Sequence, residues 1–261
     1  MKCKICKTEN PSCFSSKILG KYDVNYYHCS TCGFLQTEAP YWLDEAYSRP
    51  INLSDTGYMV RNLFFKDKLI IFLYLVFGQS GRFVDYAGGY GVFVRLMRDV
   101  GFDFLWYDKY TQNLFASGFE WDGKEKVDAI TLFEVFEHFS NPVEELSNLL
   151  NITDTIIFST ELYPESTPQP KDWWYFGLDH GQHISFYSRE SLQYLAEKFD
   201  ANFFTLGSLH LITRKKINST PFLATKLSRF GLHKIFERKL TSKVWLDYQK
   251  CCKVSSNENC I

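Results

Sequence analysis

The chain has 261 residues, a formal net charge of −1, and 45% hydrophobic and 23% charged residues. These values are typical of a globular protein with a sizeable core, and they argue against a nucleic-acid-binding protein that relies on bulk positive charge. No nucleic-acid partner is expected.

Two Cys-x-x-Cys pairs lie near the N-terminus, followed in the second pair by Gly33. The two-residue gap lets both thiolates of a pair face one point, and two such pairs complete a tetrahedral sulfur site suited to Zn²⁺. Redox thiols or unpaired thiols are the alternatives. The sequence predicts a structural zinc ribbon over residues 1–40, with these ligands: Cys3, Cys6, Cys29 and Cys32.

Residues 41–80 are interpreted as an aromatic connector followed by a helix over residues 56–77. Tyr41, Trp42, Tyr47 and Tyr58 could line a pocket, or they could simply pack in a core. The longest apolar run, residues 69–77, is too short to span a bilayer, and MKCKICK at the start lacks the apolar region of a signal peptide. We therefore expect a cytoplasmic protein.

The stretch RFVDYAGGYG, residues 82–91, predicts a strand that turns tightly into a helix with apolar residues at helical spacing. Glycine lets the backbone approach a ligand closely, and the free N–H groups at a helix start can bind a polar group. A tight turn without a ligand is the alternative. The residues assigned to this loop are Asp85, Ala87, Gly88, Gly89 and Gly91.

Residues 102–107 predict a second strand that ends at Asp108, about 20 residues after the first glycines, where an acidic residue can accept hydrogen bonds from ribose hydroxyls. A third strand, residues 127–133, ends at Phe133 and is followed by Glu134 and His138. Asn141 is predicted to cap the next helix, with Glu144 completing a capping box.

Residues 155–160 predict a further strand that leads into a long loop with His180 and His183, and Ser188 is predicted to cap the following helix. Residues 202–206 and 209–213 predict a hairpin. The alternation of strands and helices over residues 81–216 predicts an α/β domain with a mainly parallel sheet and a terminal antiparallel hairpin strand.

Residues 217–261 form a basic segment with apolar residues at helical spacing. A solvated basic face is one interpretation. Contact with an anionic membrane surface, or with an anionic or lipid-linked substrate, is the other.

Over roughly residues 56–214 the chain resembles the class I S-adenosylmethionine-dependent methyltransferases, on the motifs DYAGGYG, Asp108 and FEVFEHFSNP. The resemblance implies a Rossmann-like three-layer fold that binds S-adenosylmethionine. Ala87 stands where the family usually has its first glycine. The positions that the resemblance assigns to cofactor binding are Asp85, Ala87, Gly88, Gly89, Gly91, Asp108, Phe133, Glu134 and His138.

With its N-terminal cysteine pairs, the chain is similar to zinc-ribbon methyltransferases that act on sugars in deoxysugar and surface-glycan pathways. Residues 183–188, HISFYS, match a segment of that group that carries the proposed catalytic base. The resemblance implies His183 as general base, with His180 in reserve and Tyr175 or Glu161 orienting the acceptor. A role for His183 in shaping the loop is the alternative.

The expected function is methylation of a sugar or of a glycan-biosynthesis intermediate, on oxygen or carbon, where the acceptor could be nucleotide- or lipid-linked. O-methylation of a non-sugar small molecule is a second enzymatic hypothesis. A degenerate methyltransferase domain that acts as a scaffold in a glycan assembly system is the non-enzymatic hypothesis.

Overall fold

The structure is a computed structural model that describes residues 1–48, 55–163 and 166–258. Three stretches interpreted above lie outside the described residues, namely 49–54 of the connector, 164–165 of the long loop and 259–261 of the tail. The chain divides into two compact units: unit 1 is Met1–Ser54 with Leu132–Lys216, and unit 2 is Asp55–Thr131 with Ile217–Ile261. The division at residues 40, 80 and 216 stays a prediction.

The strands, in chain order, are β1 (Phe14–Ile18), β2 (Tyr22–His28), β3 (Leu35–Thr37), β4 (Arg82–Tyr86), β5 (Asp103–Tyr107), β6 (Ala129–Phe133), β7 (Thr155–Ser159), β8 (Ser185–Phe186), β9 (Asn202–Leu206) and β10 (Leu209–Thr213). The α-helices are α1 (Leu43–Ala46), α2 (Tyr58–Phe77), α3 (Val92–Val100), α4 (Pro142–Ile152), α5 (Arg189–Glu197), α6 (Thr220–Ala224), α7 (Leu232–Glu237) and α8 (Val244–Glu258). Short 3₁₀ turns cover Phe136–His138, Trp174–Phe176 and Thr225–Phe230.

A four-stranded sheet in unit 1 has the order β1-β2-β3-β8. β1 and β2 form a hairpin through Leu19 and Gly20, which have φ of 54° and 71°. β3 pairs antiparallel with β8, so that Leu35 lies opposite Phe186. The cysteine-rich segment and the strand that follows His183 therefore belong to one sheet.

The larger sheet has the strand order β5-β4-β6-β7-β10-β9. β4 runs parallel to β5 and to β6, whereas β10 runs antiparallel to β7 and to β9. Gly207, with φ of 62°, turns the β9–β10 hairpin at the predicted position. The predicted fold class is confirmed: an α/β Rossmann-like fold whose mainly parallel sheet ends in an antiparallel hairpin.

Helix α2 covers most of the predicted helix and ends at Gly78, which has φ of 66°. Residues 69–73 of its apolar run are buried. Among the described residues, no helix is both long and apolar enough to cross a membrane.

The two predicted helix caps have different outcomes. Ser188 caps α5 as predicted, because its Oγ accepts the Ser191 N–H at 3.1 Å in a capping box. Asn141 occupies the N-cap position of α4, with Pro142 as the first helical residue, as predicted, but the predicted capping box is wrong. The Asn141 side chain makes no cap bond but donates from Nδ2 to Glu144 at 2.8 Å, and this side-chain pair replaces the expected bonds to the backbone.

In unit 2, helix α8 of the basic tail is joined to α3 by buried charges. Arg98 donates from Nη2 and Nε to the two carboxylate oxygens of Asp247, at 2.7 and 2.8 Å, and from Nη1 to Asp103 at 2.8 Å. The guanidinium of Arg98 also lies 3.8 Å from the centre of the Phe119 ring. This part of the tail is therefore a structural element of unit 2.

Candidate functional site

The glycine loop between β4 and α3 has three residues in the left-handed region: Ala87, Gly89 and Gly91, with φ of 61°, 54° and 83°. A residue with a Cβ adopts this conformation at a cost, and such residues cluster at ligand-binding positions. Ala87 therefore keeps the backbone shape that a glycine would allow more easily.

Gly88 and Gly91 are explained by packing within unit 2. A Cβ on Gly88 would lie 2.9 Å from a carboxylate oxygen of Asp85, and one on Gly91 would lie 2.5 Å from the amide oxygen of Asn113. A side chain at either position would have to displace these groups, and at Gly91 the φ of 83° would also strain the backbone.

Asp108 follows β5 and holds the glycine loop through its carboxylate. Oδ2 accepts the Gly89 N–H at 2.9 Å, while Oδ1 accepts the N–H groups of Tyr110 and Thr111 at 2.7 and 2.9 Å. A carboxylate has about four acceptor positions, so three bonds leave one for a ribose hydroxyl. Helix α3 begins directly after Gly91 and leaves N–H groups of its first turn free to bind a ligand. The residues of this loop fit the nucleoside cofactor that the resemblance implies.

Asp85 lies at the end of β4 and is 4% exposed. Its Oδ1 accepts the hydroxyl of Thr131 at 2.6 Å. Burial raises the pKa of Asp85 to about 7, the Thr131 bond lowers it in part, and the charge of Asp108 raises it further. Asp85 thus links β4 to β6 one strand residue before the glycine loop begins.

In unit 1, β6 ends at Phe133, which is half-buried, and Glu134 follows with φ of 56°. The Ser159 hydroxyl accepts the Glu134 N–H at 2.9 Å and donates to Oε1 of Glu134 at 2.5 Å. Ser159, at the end of β7, therefore fixes both the strained backbone and the carboxylate of Glu134. Within unit 2, by contrast, the loop is fixed by Asp108.

His183 lies two residues before the start of β8, and its ring is surrounded by three other aromatic rings. Its Nδ1 lies 2.6 Å from the Tyr175 carbonyl oxygen, and ring centres of His138, His180 and Tyr175 lie 5.1, 4.8 and 4.6 Å away. Because a carbonyl only accepts, this bond places the imidazole proton on Nδ1 and leaves the lone pair on Nε2. Burial lowers the pKa of His183 well below its usual value, and the neighbouring histidines lower it further.

The other predicted catalytic residues also lie in unit 1. His180 accepts the Gln182 N–H at its Nδ1 at 3.2 Å, and burial lowers its pKa. The buried Tyr175 hydroxyl lies 3.2 Å from Thr160 Oγ1. Glu161 is half-buried, and burial followed by the charge of Glu134 raises its pKa. Tyr175 therefore contacts His183 through its backbone carbonyl, while its hydroxyl is directed to Thr160.

His138 lies in the 3₁₀ turn after β6 and joins two other segments of unit 1. Its Nδ1 lies 2.8 Å from the Tyr47 hydroxyl and 3.1 Å from the Gln182 carbonyl oxygen. Burial lowers its pKa to about 4. Of the connector aromatics, Tyr47 thus contacts a predicted site residue, while Trp42 is a core residue that donates from Nε1 to the Gly181 carbonyl at 2.7 Å.

The sequence analysis assigned no role to Glu137, which is 0% exposed. Both of its carboxylate oxygens are buried without a hydrogen-bond partner among the described residues. Burial raises its pKa well above the usual value, as does the charge of Glu134. The signal available in the sequence was its position in the apolar turn FEHF, where acidic residues are uncommon.

The four cysteines of the N-terminal pairs meet in unit 1, with all four Sγ atoms within 4.8 Å of one another. The Sγ atoms of Cys3 and Cys32 are 3.6 Å apart, and those of Cys6 and Cys29 are 3.3 Å apart. Sulfur atoms at 2.3 Å from a tetrahedral Zn²⁺ are about 3.8 Å apart, so the cluster fits zinc with little adjustment. The hydrogen bond between Cys3 and Cys32 lowers the pKa of Cys3 and raises that of Cys32, as expected for two sulfur atoms that share one proton in the place of a metal ion. Gly33 has φ of 71°, as expected after such a pair.

Residues 60–205 match a family model described as a methyltransferase domain, which is more than half of the chain. No curated protein sequence matches. Similar solved structures include CalO1, a methyltransferase in calicheamicin biosynthesis, with S-adenosylhomocysteine (SAH) bound. The two chains are 16% identical, the match covers 60% of this chain and 57% of CalO1, and the TM-score is 0.41. The match thus spans less than two thirds of the length of CalO1.

Two further structures are the SAH-bound magnesium protoporphyrin IX methyltransferase ChlM from Synechocystis PCC 6803 and the plantazolicin methyltransferase BpumL in complex with SAH. ChlM has 11% identity, covers 67% of this chain and 96% of its own, and has a TM-score of 0.42. BpumL has 12% identity, and the match covers 76% of this chain and 89% of BpumL, with a TM-score of 0.47.

Proposed function

Since the chain belongs to the methyltransferase-domain family, we propose that it transfers a methyl group from S-adenosylmethionine to a sugar or a glycan-biosynthesis intermediate, on oxygen or carbon. When bound, this cofactor supplies an electrophilic methyl group on a sulfonium. Asp108 and the backbone at Gly88, Gly89 and Gly91 would hold the cofactor, on a loop shaped by Ala87 and supported by Asp85. The further residues assigned to this role are Phe133, Glu134 and His138.

We assign His183 as the general base, with Nε2 as the atom that removes the proton from the methyl acceptor. The observation that carries this assignment is the 2.6 Å contact between Nδ1 and the Tyr175 carbonyl, because it orients the ring and leaves the Nε2 lone pair available. His180 is the reserve base, since its ring lies next to that of His183. Tyr175 orients the imidazole, and Glu161 is a candidate contact for acceptor hydroxyls.

A sugar acceptor is supported by the segment that precedes His183. Trp174 is 78% exposed and adjoins Trp173 and Tyr175, and an exposed indole offers a flat apolar face on which the C–H side of a sugar ring can pack. The pairing of β3 with β8 supports a joint role for the cysteine cluster and the histidine loop. The function of the cluster would be to hold Zn²⁺ as a structural ion.

A screen of labelled methyl transfer tests this proposal, with nucleotide-activated sugars in one set and phenolic and other non-sugar hydroxyl compounds in a second. Label in the first set supports the sugar acceptor, and label confined to the second set supports the O-methyltransferase hypothesis for other small molecules. Absence of SAH binding at millimolar ligand would favour the scaffold hypothesis.

A cytoplasmic location is part of the proposal and is supported by the clustered thiols of unit 1, which a reducing compartment preserves.

Peripheral contact of the basic tail with an anionic membrane is proposed because the tail exposes apolar side chains. Among them, Phe230 is 72% exposed and Trp245 is 64% exposed. A truncated protein is unsuitable for this test because removal of the tail would leave buried Arg98 without its partner Asp247. Flotation with anionic liposomes should instead compare wild type with the double variant Phe230→Ala, Trp245→Ala. Equal flotation of the two would reject the membrane contact.

A further inference from the structure

Three side chains of unit 1 offer ligand atoms to one point. A carboxylate oxygen of Glu137 and a ring nitrogen each of His138 and His183 lie within 4.8 Å of one another. From this geometry we infer a binding site for a divalent transition-metal ion, formed by these three residues and distinct from the cysteine cluster.

The first supporting observation is the state of Glu137. Its two carboxylate oxygens are buried and lack a hydrogen-bond partner among the described residues. The hydroxyls of Tyr175 and Thr160 lie near this carboxylate but are 3.2 Å from each other and paired together. A buried carboxylate without a partner is costly unless it takes up a proton or a cation, and the two imidazole nitrogens beside Glu137 make this point a site for a cation.

The second observation is the orientation of the two imidazoles. Nδ1 of His183 lies 2.6 Å from the Tyr175 carbonyl oxygen, and Nδ1 of His138 lies 3.1 Å from the Gln182 carbonyl oxygen and 2.8 Å from the Tyr47 hydroxyl, which accepts as well as donates. Metal-binding histidines commonly donate their second ring N–H to a backbone carbonyl, which fixes the tautomer and the ring orientation. Both rings would therefore offer Nε2 to the metal.

The distances require only a modest adjustment. Ligand atoms about 2.1 Å from a tetrahedral ion are about 3.4 Å apart, so a pair at the 4.8 Å limit of the cluster must close by about 1.4 Å. Rotation of the Glu137 side chain can supply this, because neither carboxylate oxygen has a hydrogen-bond partner among the described residues. Three protein ligands also leave a coordination position for water.

The donor set indicates the metal. Two imidazole nitrogens and one carboxylate oxygen suit Zn²⁺, Co²⁺ or related ions, whereas Mg²⁺ and Ca²⁺ prefer oxygen ligands alone. The cysteine cluster offers four sulfur atoms instead, so the two sites differ in the spectra of a bound Co²⁺ ion.

Occupation of this site has a consequence that rests on the proposed function. A metal on Nε2 of His183 uses the lone pair that would accept the proton of the methyl acceptor. Metal binding and base catalysis therefore exclude each other, and Zn²⁺ or Co²⁺ at this site is expected to inhibit methyl transfer.

The test is a Co²⁺ titration of the full chain whose cysteine cluster is already loaded with one equivalent of Zn²⁺. Wild type should bind one further equivalent with the weak visible bands of a nitrogen and oxygen site, without sulfur-to-cobalt charge transfer. Folded Glu137→Gln and His183→Ala variants should bind Co²⁺ at least about 100-fold more weakly. The matched control is His180→Ala, which removes a neighbouring imidazole outside the ligand set and should retain the second equivalent.

No second equivalent in wild type, or unchanged binding in both folded ligand variants, would overturn the metal site. Binding with stimulation of turnover instead of inhibition would leave the metal site standing and reject His183 as the base. Different results therefore contradict the metal site and the role of His183 as general base.

Discussion

Leu35 of β3 lies opposite Phe186 of β8 in an antiparallel pair. Leu35 follows Cys32 by three residues, and Phe186 follows His183 by three residues. The adjacent Thr37 N–H donates to the Ile184 carbonyl at 3.1 Å. The backbone on both sides of this pair is thus fixed by the sheet, and the cysteine cluster fixes one end of it.

Loss of the cluster should therefore loosen the histidine loop. Cys32→Ser is expected to remove the bound zinc and to speed hydrogen exchange of the Thr37 amide by at least about tenfold, because the metal stabilises the fold of its ligand segment. Metal analysis and exchange measured by mass spectrometry check this. Cys13→Ser is the control, since Cys13 is exposed and lies outside the cluster. This variant should keep its zinc, and hydrogen exchange at the Thr37 amide should stay as slow as in wild type.

Asp108→Asn should weaken SAH binding by roughly 10- to 100-fold. The substitution replaces one oxygen of the group that accepts three backbone N–H bonds, and it removes a charge-assisted acceptor for the ribose, with bonds to a charged group contributing about 1.5–3 kcal/mol. Calorimetry with SAH measures the effect. Asp122→Asn, at an exposed turn aspartate of the same unit, should bind as wild type, and equal affinities for all three proteins would contradict the assignment of Asp108.

Asp85 predicts a pH dependence of stability. Its pKa is about 7 in the folded protein against 3.8 as the ordinary value, so between these pH values the unfolded chain is ionised while folded Asp85 keeps its proton. The stability contributed by this group is fully present below about pH 4 and is lost as the pH rises through 7, at about 1.4 kcal/mol per pH unit and roughly 4 kcal/mol in all. Asp85→Asn should remove this slope and unfold at higher urea than wild type at pH 8. A wild-type slope retained in Asp85→Asn would show that other groups cause it.

The pair of Arg98 and Asp247 predicts a large effect of a tail mutation on unit 2. Asp247→Asn removes one charge of a buried pair and should lower the free energy of unfolding by about 3 kcal/mol, since Asp103 still neutralises part of the Arg98 charge. Asp99→Asn removes the more exposed partner of Arg95 and should cost less than about 1 kcal/mol. Urea unfolding of both variants gives the comparison. Equal losses would mean that α8 is not held by the buried pair.

Local patterns in the sequence were sufficient for much of the fold. The strands before Asp108 and after Gly207, and the cap at Ser188, depend on alternation, turn residues and side-chain oxygens within a few residues. Asn141 is the N-cap of α4 as predicted, but the capping box does not form because the Asn141 amide has two competing partners, the backbone and the Glu144 carboxylate.

Relations between distant residues could not be read in the same way. The pairing of Leu35 with Phe186 and the bond of Arg98 to Asp247 join segments far apart in the chain, and no local period specifies either one. Glu137 was overlooked since an acidic residue in a turn is usually exposed, and only the packing of unit 1 buries it. For the site itself, the sequence supplied the residues, and the structure supplied the tautomer of His183.

Methyl transfer by His183→Asn tests the central claim most directly. Wild type, with labelled S-adenosylmethionine and a panel of nucleotide-activated sugars, is expected to label an acceptor, and the folded variant is expected to lose at least about 100-fold in turnover while it binds SAH like wild type. Turnover of the folded variant within a fewfold of wild type would contradict His183 as the base, and failure of wild type to bind SAH would contradict the methyltransferase activity as a whole.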